Sequence, residues 1–358
     1  MLNIGRRKPA LQGSRRVCGT PGIPSTATAG GGLLDTLAQP CQKPSGRSQS
    51  SKQTFQKRAR AKSISLPIAV ELAKLGSPLE KSYRNTVYCA ACIVQDAGEL
   101  RSKYCGNRWC SVCSRIRSAR AVTAYLPVME VWSEPYMVTL TIRNCSAEEL
   151  RMTIARMMKG VTSVARSIKR TEKLPFVAVR KLECTYNSQR KNYHPHLHII
   201  VNGQVQAELM REKWLQRFPS ETIESAQDVR ACDTGGLAEL FKYFTKLATK
   251  TDDGRRRVVP VIALDVIFCA MRGRRVWQPV GFTLPKEVEE QIEGDDLDID
   301  GSEAFKRDTE LIYWQWDQDL KDWVDIETGE VLSEYAPSEA FEAFIATISE
   351  PIGASNSS

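Results

Sequence analysis

The chain has 358 residues, of which 42% are hydrophobic and 26% charged, enough for one large or two modest domains with a hydrophobic core. Its formal net charge of +8 is uneven: residues 1–80 carry +10, residues 81–283 carry +15 and residues 284–358 carry −17. A basic body favours a polyanionic partner, because lysine and arginine release condensed counterions when they bind phosphates. The absence of an apolar run of about 18 residues argues against a transmembrane helix.

The first 80 residues are rich in Gly, Ser, Pro, Gln and basic residues and show little apolar periodicity. Such a segment buries too little surface to offset its ordering entropy, so we predict that residues 1–80 are disordered. An organelle transit peptide is the alternative interpretation of this Arg- and Ser-rich composition. Because the chain does not open with the short apolar run of a secretory signal, we expect a cytoplasmic protein.

Five of the eleven cysteines cluster over residues 81–122. In a reducing compartment they indicate metal ligands or free thiols rather than disulfides. Two Cys-x2-Cys pairs separated by 17 residues have the spacing of a zinc ribbon, in which four thiolates meet tetrahedrally. We therefore predict a small zinc-binding module, with buried free thiols as the alternative. The candidate ligands are Cys89, Cys92, Cys110 and Cys113, with Cys105 as a fifth thiol able to displace one of them.

A basic stretch follows the cysteines, and its Arg115, Arg117 and Arg120 are predicted to bind DNA. Hydrophobic periodicity predicts the next elements. They are a strand at 136–142, an amphipathic helix at 147–170, two strands at 176–187 and 193–202 around a polar turn, helices at 208–218 and 236–250, and a mixed region at 255–282.

All three histidines of the chain lie on one predicted strand, at His194, His196 and His198. Residues two apart on a strand share a face, so these imidazoles point to one side, where neutral imidazoles suit a divalent cation. If the predicted hairpin is symmetric about its turn, Glu183 lies directly opposite His196 and adds a carboxylate. A patch of surface histidines is the alternative.

The predicted helix at 236–250 has one apolar face and one polar face, which carries Glu239, Tyr243 and Lys246 as surface neighbours. A phenol is a poor nucleophile near neutral pH because its pKa is about 10. A nearby ammonium and a metal-polarised phosphate would help it attack. Taken alone, Tyr243 is typical of an ordinary boundary residue on an amphipathic helix. Its combination with the histidine strand favours a catalytic role.

Three motifs in this order resemble those of the rolling-circle replication initiator (Rep) proteins of small bacterial plasmids, single-tyrosine members of the HUH endonuclease superfamily. They are the strand at 136–141, the segment 194–198 with its His-hydrophobic-His core, and the acidic residue and Tyr-x-x-Lys pattern at 239–246. The resemblance covers residues 83–283. It implies an α+β fold with a central antiparallel sheet of about five strands, flanking helices, and the histidines on a central strand.

The resemblance implies a metal-dependent, site-specific endonuclease in a bacterial cytoplasm, with single-stranded or hairpin origin DNA as its partner. Tyr243 would attack a phosphodiester at the origin and leave a 5′-phosphotyrosine and a free 3′-hydroxyl that primes rolling-circle replication. Lys246 would contact the phosphate or the water at the metal site, and Glu239 would act as general base when the cycle is terminated by hydrolysis. The implied Mg²⁺ or Mn²⁺ ligands are His196 and His198, with Glu183 preferred over His194 as the third ligand.

The predicted organisation has four parts. They are a disordered basic segment (1–80), the zinc-binding module (81–122), the HUH endonuclease domain (123–284) and an acidic segment with a Trp-rich hairpin (285–358). The acidic segment has two candidate roles: docking a host helicase or polymerase, or limiting nonspecific DNA binding by competing for the basic body. The alternative functions are an HUH transposase or conjugative relaxase and a non-catalytic, zinc-containing DNA-binding regulator.

Overall fold

The computed structural model of the chain describes residues 49–96, 99–232, 240–241, 247–250, 256–293 and 311–348. In these ranges no helix combines the length and the apolar character needed to cross a membrane. The helices are α1 (Gln49–Ala73), α2 (Glu80–Val87), α3 (Ser111–Met129), α4 (Ala147–Arg170), α5 (Gln204–Arg217), α6 (Val261–Met271), α7 (Lys286–Glu293) and α8 (Glu339–Ala346). The strands are β1 (Cys92–Asp96), β2 (Glu99–Ser102), β3 (Pro135–Thr141), β4 (Ala178–Asn187), β5 (Asn192–Asn202), β6 (Asp228–Ala231), β7 (Ala248–Lys250), β8 (Arg256–Val258), β9 (Trp277–Val280), β10 (Ile312–Asp317) and β11 (Asp322–Asp325).

Five antiparallel strands form the central sheet, in the order β6-β3-β5-β4-β9. The expected α+β class and the expected sheet of about five strands are both confirmed. The three strands predicted around the histidines correspond to β3, β4 and β5. β5, which carries the histidines, is the middle strand, so both of its edges are hydrogen-bonded to neighbours.

The two faces of the central sheet differ in chemistry, because directly paired residues share a face and alternate along each strand. One face is largely apolar, with Leu140, Leu182 and Leu197 each 0% exposed. Helices α4 and α5 contact β5 on this side. The other face carries charged and polar side chains, among them Glu183 and His196, and we call it the histidine face.

Helix α4 confirms the helix predicted at 147–170. It begins with a capping box, in which the Ser146 hydroxyl accepts from the Glu149 backbone N–H and the Glu149 carboxylate accepts from the Ser146 backbone N–H. Leu150, Ile154 and Met157 follow at helical spacing and are fully buried. The helix therefore buries one long apolar stripe in the core and leaves its basic side exposed to solvent.

The prediction that residues 1–80 are disordered is wrong for residues 49–73, which form helix α1. Residues 1–48 lie outside the described ranges. Ile64 and Leu72 of α1 are buried in the same hydrophobic core as the central sheet. The helix lacks an obvious amphipathic pattern because polar side chains are buried beside these apolar ones. The hydroxyls of Ser63 and Ser65 each donate a hydrogen bond to the backbone carbonyl one turn earlier, at 2.9 Å, so they can be buried.

The C-terminal segment contains the predicted Trp-rich hairpin, as β10 and β11. These strands extend a second antiparallel sheet, in the order β11-β10-β1-β2, and β10 pairs with β1 beside the cysteines. The indole of Trp323 is fully buried and donates to the carbonyl of Ala90 at 2.7 Å. The cysteine region and the hairpin, predicted as separate parts of the chain, therefore share one sheet.

The helix predicted at 236–250 is wrong at its C-terminal end. β7 is a strand and pairs antiparallel with β8, aligning Thr249 with Arg257. The pairing begins just before the strand, where the N–H of Val259 donates to the carbonyl of Leu247 at 2.8 Å. The β-branched Thr249 and its pairing partner eight residues away thus favour a strand over a helix in this segment.

Candidate active site and cysteine centre

The β4–β5 hairpin brings the predicted metal ligands together. Its register places Glu183 directly opposite His196, as predicted from a symmetric turn, and Lys181 directly opposite His198. All four side chains therefore lie on the histidine face. The register extends over ten residue pairs, so the position of each side chain is fixed by the hydrogen bonds of the whole hairpin.

Glu183, His196 and His198 form a cluster that we call the histidine centre. Glu183 Oε2 lies 3.2 Å from His196 Nε2 and 3.8 Å from His198 Nε2, and the three ligand atoms lie within 4.8 Å of one another. Ligand atoms about 2.1 Å from a tetrahedral or octahedral ion are about 3 to 3.5 Å apart. The cluster therefore fits a divalent cation. His194 lies outside this group of three.

The two imidazoles of the histidine centre are oriented by hydrogen bonds on their other nitrogens. His196 Nδ1 is 3.1 Å from the backbone oxygen of His194, and His198 Nδ1 is 3.2 Å from Thr139 Oγ1. A carbonyl only accepts, so His196 must carry its proton on Nδ1 to make this bond. In the neutral ring this tautomer leaves the Nε2 lone pair free to bind a cation that Glu183 Oε2 would share. Such outer hydrogen bonds fix the orientation and the tautomer of metal-binding histidines.

Lys181 is part of this arrangement, and it was not identified from the sequence. Its Nζ lies 2.6 Å from Glu183 Oε1, and the two side chains are 2% and 9% exposed. Burial opposes ionisation of Glu183, but Lys181 and the adjacent imidazoles together hold the pKa of Glu183 well below its usual range. The carboxylate is therefore charged, with Oε1 engaged by Lys181 and Oε2 turned to the histidines.

The histidine centre is open on one side. The side chain of His198 is 30% exposed, whereas those of His196 and Glu183 are each 9% exposed. A metal site with three protein ligands and an accessible position is typical of a catalytic centre, because substrate or water completes the coordination.

The predicted catalytic residues Glu239, Tyr243 and Lys246 lie outside the described residues. Two residues of the same segment are described, and both are buried: Leu240 is 1% and Phe241 is 2% exposed.

Leu240 and Phe241 are anchored to the histidine face of the sheet. The carbonyl of Leu240 accepts from Trp277 Nε1 at 3.2 Å, and the ring of Phe241 lies 6.2 Å from that of Trp277. Trp277 pairs with Lys181 in the sheet, so its side chain lies on the same face as the histidine centre. The chain is therefore fixed on this face two residues before Tyr243.

Four cysteines form a second cluster, the cysteine centre, made of Cys89, Cys105, Cys110 and Cys113. Cys113 Sγ lies 3.5 Å from Cys89 Sγ and 3.6 Å from Cys105 Sγ, and Cys110 Sγ lies 3.6 Å from Cys89 Sγ. Thiolates bound tetrahedrally to zinc at about 2.3 Å are about 3.8 Å apart. The predicted ligand Cys92 is wrong: it is exposed on β1 and outside the cluster, and Cys105 takes its place.

The N-terminus of α3 supports the cysteine centre. Cys110 is the residue before the helix and Cys113 lies in its first turn, where the helix dipole favours thiolates. Hydrogen bonds from Cys110 and the other thiols hold the pKa of Cys105 below its usual range. The buried Lys62 of α1 donates to the backbone oxygen of Cys89 at 2.5 Å, which adds a positive charge beside the four sulfurs.

One of the three predicted DNA-binding arginines is unavailable to DNA. Arg117 is 2% exposed and donates to the backbone oxygens of Gly106 at 2.6 Å and Ile292 at 2.7 Å. It therefore joins the cysteine loop to α7, and this prediction is wrong. Arg115 and Arg120 are half-buried on the same helix, and their contact with DNA stays a prediction.

The model of the replication protein family matches residues 99–326 of the chain. That region is well over half of the chain and includes the histidine centre. The chain belongs to the replication protein family. The matched region also includes Tyr243 and three of the four residues of the cysteine centre, whereas Cys89 precedes it.

Curated relatives of this replication protein carry the description Protein rep. The one from Bacillus sp is 29% identical over 143 residues, 36% of this chain and 46% of that protein. The one from Streptococcus pneumoniae is 24% identical over 192 residues, covering 47% and 59%, and the one from Staphylococcus aureus is 34% identical over 166 residues, covering 41% and 71%. The chain spans about half the length of the first two relatives. No solved structure matches the chain.

Proposed function

We propose that this replication protein starts rolling-circle replication by nicking one strand of origin DNA, in single-stranded or hairpin form, with Tyr243 as nucleophile. The observation that carries the proposal is the convergence of Glu183 Oε2 with the Nε2 atoms of His196 and His198. Packing alone does not require three ligand atoms to meet beside a partly exposed imidazole. The anchoring of Leu240 and Phe241 on the same face of the sheet supports the role given to Tyr243.

In the proposed reaction the phenolic oxygen of Tyr243 forms a bond to the phosphorus, and the bond from phosphorus to the 3′ oxygen breaks. The phenol loses its proton to solvent and the 3′ oxygen gains one, which leaves a 5′-phosphotyrosine and a 3′-hydroxyl primer. Lys246 contacts the phosphate and offsets its charge. Glu239 later takes a proton from the water that hydrolyses the phosphotyrosine bond.

The residues of the histidine centre fit Mg²⁺ or Mn²⁺. When bound, such an ion polarises the phosphate and stabilises the charge that develops on it. Lys181 prepares the centre by occupying Glu183 Oε1, so that the carboxylate presents Oε2 to the histidines. His194 is not part of the proposed ligand set; it supplies the backbone oxygen that orients His196.

We propose that the cysteine centre binds Zn²⁺ through Cys89, Cys105, Cys110 and Cys113. The sulfur spacing carries this assignment. The ion would join the segment after α2, the loop after β2 and the start of α3. In this organisation the cysteine region and the C-terminal hairpin form one unit beside the nuclease domain. Docking of a host helicase or polymerase by residues 285–358 stays a prediction.

The test is incubation of the purified chain with labelled single-stranded oligonucleotides that tile the DNA flanking its gene, with Mn²⁺ or Mg²⁺. We expect a protein–DNA adduct that resists denaturation and a labelled 3′-hydroxyl product, both of them abolished by a chelator and by Tyr243→Phe. His198→Ala should abolish them too, whereas His194→Ala should retain them. An adduct that persists in Tyr243→Phe, or cleavage that ignores the chelator, would overturn the mechanism.

The same experiment separates the alternative functions. A non-catalytic regulator would bind the DNA and give no adduct. A transposase or relaxase would join the cleaved strand to a second DNA or act at a transfer origin. The match to replication proteins favours initiation at a replication origin over both alternatives.

A further inference from the structure

A cavity of about 430 Å³ lies at one edge of the central sheet, between the second half of α4 and the strands β4 and β9. One side of the cavity is basic and is lined by Arg166, Lys169, Arg170, Arg180 and Gly281. Among the described residues, no acidic side chain lines it. It is separate from the histidine centre and from the cysteine centre.

The floor of the cavity is Arg180, a buried cation. Arg180 is 5% exposed and donates to the backbone oxygen of Arg275 at 3.3 Å and to the side-chain oxygen of Gln278. Both acceptors are neutral, and within the described chain no carboxylate forms an ion pair with this guanidinium. Burial lowers the pKa of Arg180 to about 10, so it remains charged at neutral pH. A buried charge without a counterion is unfavourable, and an anion in the cavity would compensate it.

Glu293, the carboxylate whose charge acts on Arg180, already has other partners. Glu293 lies 3.3 Å from Arg108, and its carboxylate accepts from the backbone N–H groups of Val276 at 3.1 Å and Trp277 at 2.7 Å. Its charge reaches Arg180 and raises the pKa of that group, but less than burial lowers it. The positive charge in the floor of the cavity is therefore only partly compensated.

The rim of the cavity consists of three exposed cations on the last turns of α4. Arg166, Lys169 and Arg170 are three and four residues apart, so they project on the same side of the helix. In the described parts of the chain none of them forms an ion pair, whereas Arg156 on the same helix pairs with Glu221 at 2.5 Å. Basic residues near a helix C-terminus also offset the helix dipole, but that does not account for Arg180, which comes from the sheet.

The backbone brings the rim and the sheet close together at Gly281. This residue has φ +88°, and a Cβ there would lie 2.1 Å from the backbone oxygen of Phe176 and 3.2 Å from Lys169 Nζ. Only glycine fits, so the backbone after β9 passes directly beside the ammonium. The four cations thus surround a space that suits a group with several anionic oxygens, and guanidinium pairs bind phosphate with good geometry.

The cavity lies on the other face of the sheet from the histidine centre. Arg180 and Glu183 are three residues apart on β4, which separates them by roughly 10 Å along the strand and places them on opposite faces. β9 is an edge strand of the central sheet, so the cavity lies at the rim of the sheet rather than over its middle. We propose that this cavity binds a backbone phosphate of the DNA strand, several nucleotides from the phosphate that is cut. The identity of the strand rests on the proposed function.

The test compares two exposed arginines of α4, Arg170 at the cavity and Arg151 in the first turns, outside it. Both are changed to glutamine in a Tyr243→Phe background, and binding of fluorescent oligothymidylate of about 20 nucleotides is measured by anisotropy over a range of salt concentrations. Arg170→Gln should weaken binding about 3- to 10-fold and lower the slope of log affinity against log salt by about 0.7, the value for one lost single-strand phosphate contact. Arg166→Gln should behave in the same way.

Arg151→Gln removes the same charge and should change the affinity less than about twofold, with an unaltered slope. Equal effects of Arg170→Gln and Arg151→Gln on affinity would mean that the cavity contributes only general surface charge. An unchanged slope in Arg170→Gln would overturn the proposal. Because the background cannot form the tyrosine bond, the result does not depend on nicking. A wild-type chain that never nicks DNA, together with a slope change in Arg170→Gln, would reject the proposed function and keep the phosphate site.

Discussion

The cysteine centre and the histidine centre differ in how completely the chain surrounds them. The cysteine centre offers four sulfurs, three of them from buried residues, at the spacing of a closed tetrahedral site. The histidine centre offers three mixed ligand atoms, and the side chain of His198 is 30% exposed. Closed sites of four cysteines stabilise folds, whereas open sites of three ligands perform chemistry. The geometry therefore suits the cysteine centre to a structural ion, and it suits the histidine centre to the catalysis proposed above.

A buried lysine lies beside each of the two centres, and the two lysines act differently. Lys62 donates to a backbone oxygen beside the cysteine centre, and burial lowers its pKa while the neighbouring thiolates raise it. Lys181 contacts a ligand itself, Glu183 Oε1, at 2.6 Å. In the first case the cation offsets the charge of the cluster as a whole. In the second it fixes which oxygen is left for a metal.

The largest effect is expected from the cysteine centre. Zinc binding contributes about 10 kcal/mol or more to small zinc domains, because the site does not exist in the unfolded chain. Cys110→Ser should therefore abolish bound zinc and lower the free energy of unfolding by several kcal/mol. Zinc per chain is measured by elemental mass spectrometry, and stability by urea denaturation with a chelator present and absent.

Cys92→Ser is the matched control, because Cys92 is exposed and lies outside the cluster. It should keep one zinc per chain and the wild-type stability, whereas Cys105→Ser should behave as Cys110→Ser. Loss of zinc in Cys92→Ser with retention in Cys105→Ser would restore the zinc-ribbon set expected from the spacing alone.

The histidine centre was more predictable than the cysteine centre, for a local reason. A short hairpin aligns residues by counting from its turn, so Glu183 could be placed opposite His196 from the sequence. Lys181 was missed, although a lysine in a strand that is otherwise buried is itself a signal of an ion partner. The tyrosine segment was identified by its motif, and its strand at β7 depends on pairing with β8.

The cysteine centre could not be predicted in full because it depends on distant contacts. Cys92 is a strand residue aligned with Gln315, more than 200 residues away, and this pairing directs it away from the cluster. The N-terminal helix was missed for the same kind of reason. Its Lys62 and Ser65 are buried against the cysteine region, so the helix shows no polar face until its partners are known.

An intermediate effect is expected at Lys181. Lys181→Met leaves the Glu183 carboxylate buried without its ion partner, which should lower the free energy of unfolding by about 3 to 5 kcal/mol. Mn²⁺ should restore part of this loss, because it supplies the missing positive charge at Oε2. Urea denaturation with and without Mn²⁺ measures both. Lys159→Met, on the exposed side of α4, should stay within about 0.5 kcal/mol of wild type. A loss that Mn²⁺ leaves unchanged would contradict a metal at the histidine centre.

The smallest effect is expected at Thr139, whose hydroxyl orients His198 through Nδ1. Thr139→Val keeps the shape and removes that hydrogen bond, so Mn²⁺ affinity by titration calorimetry should fall about 10-fold. Thr141→Val is the control two residues along β3, because the Thr141 hydroxyl bonds to the backbone oxygen of Ala226 and to Gln227 Nε2 rather than to His196, the residue that it faces on β5. It should lower stability and leave Mn²⁺ affinity unchanged. If both variants lower the affinity for Mn²⁺ equally, β3 affects the histidine centre through packing. If only Thr139→Val does, a single hydroxyl sets the orientation of the His198 ring, and the openness of the histidine centre is compatible with a precisely oriented ligand.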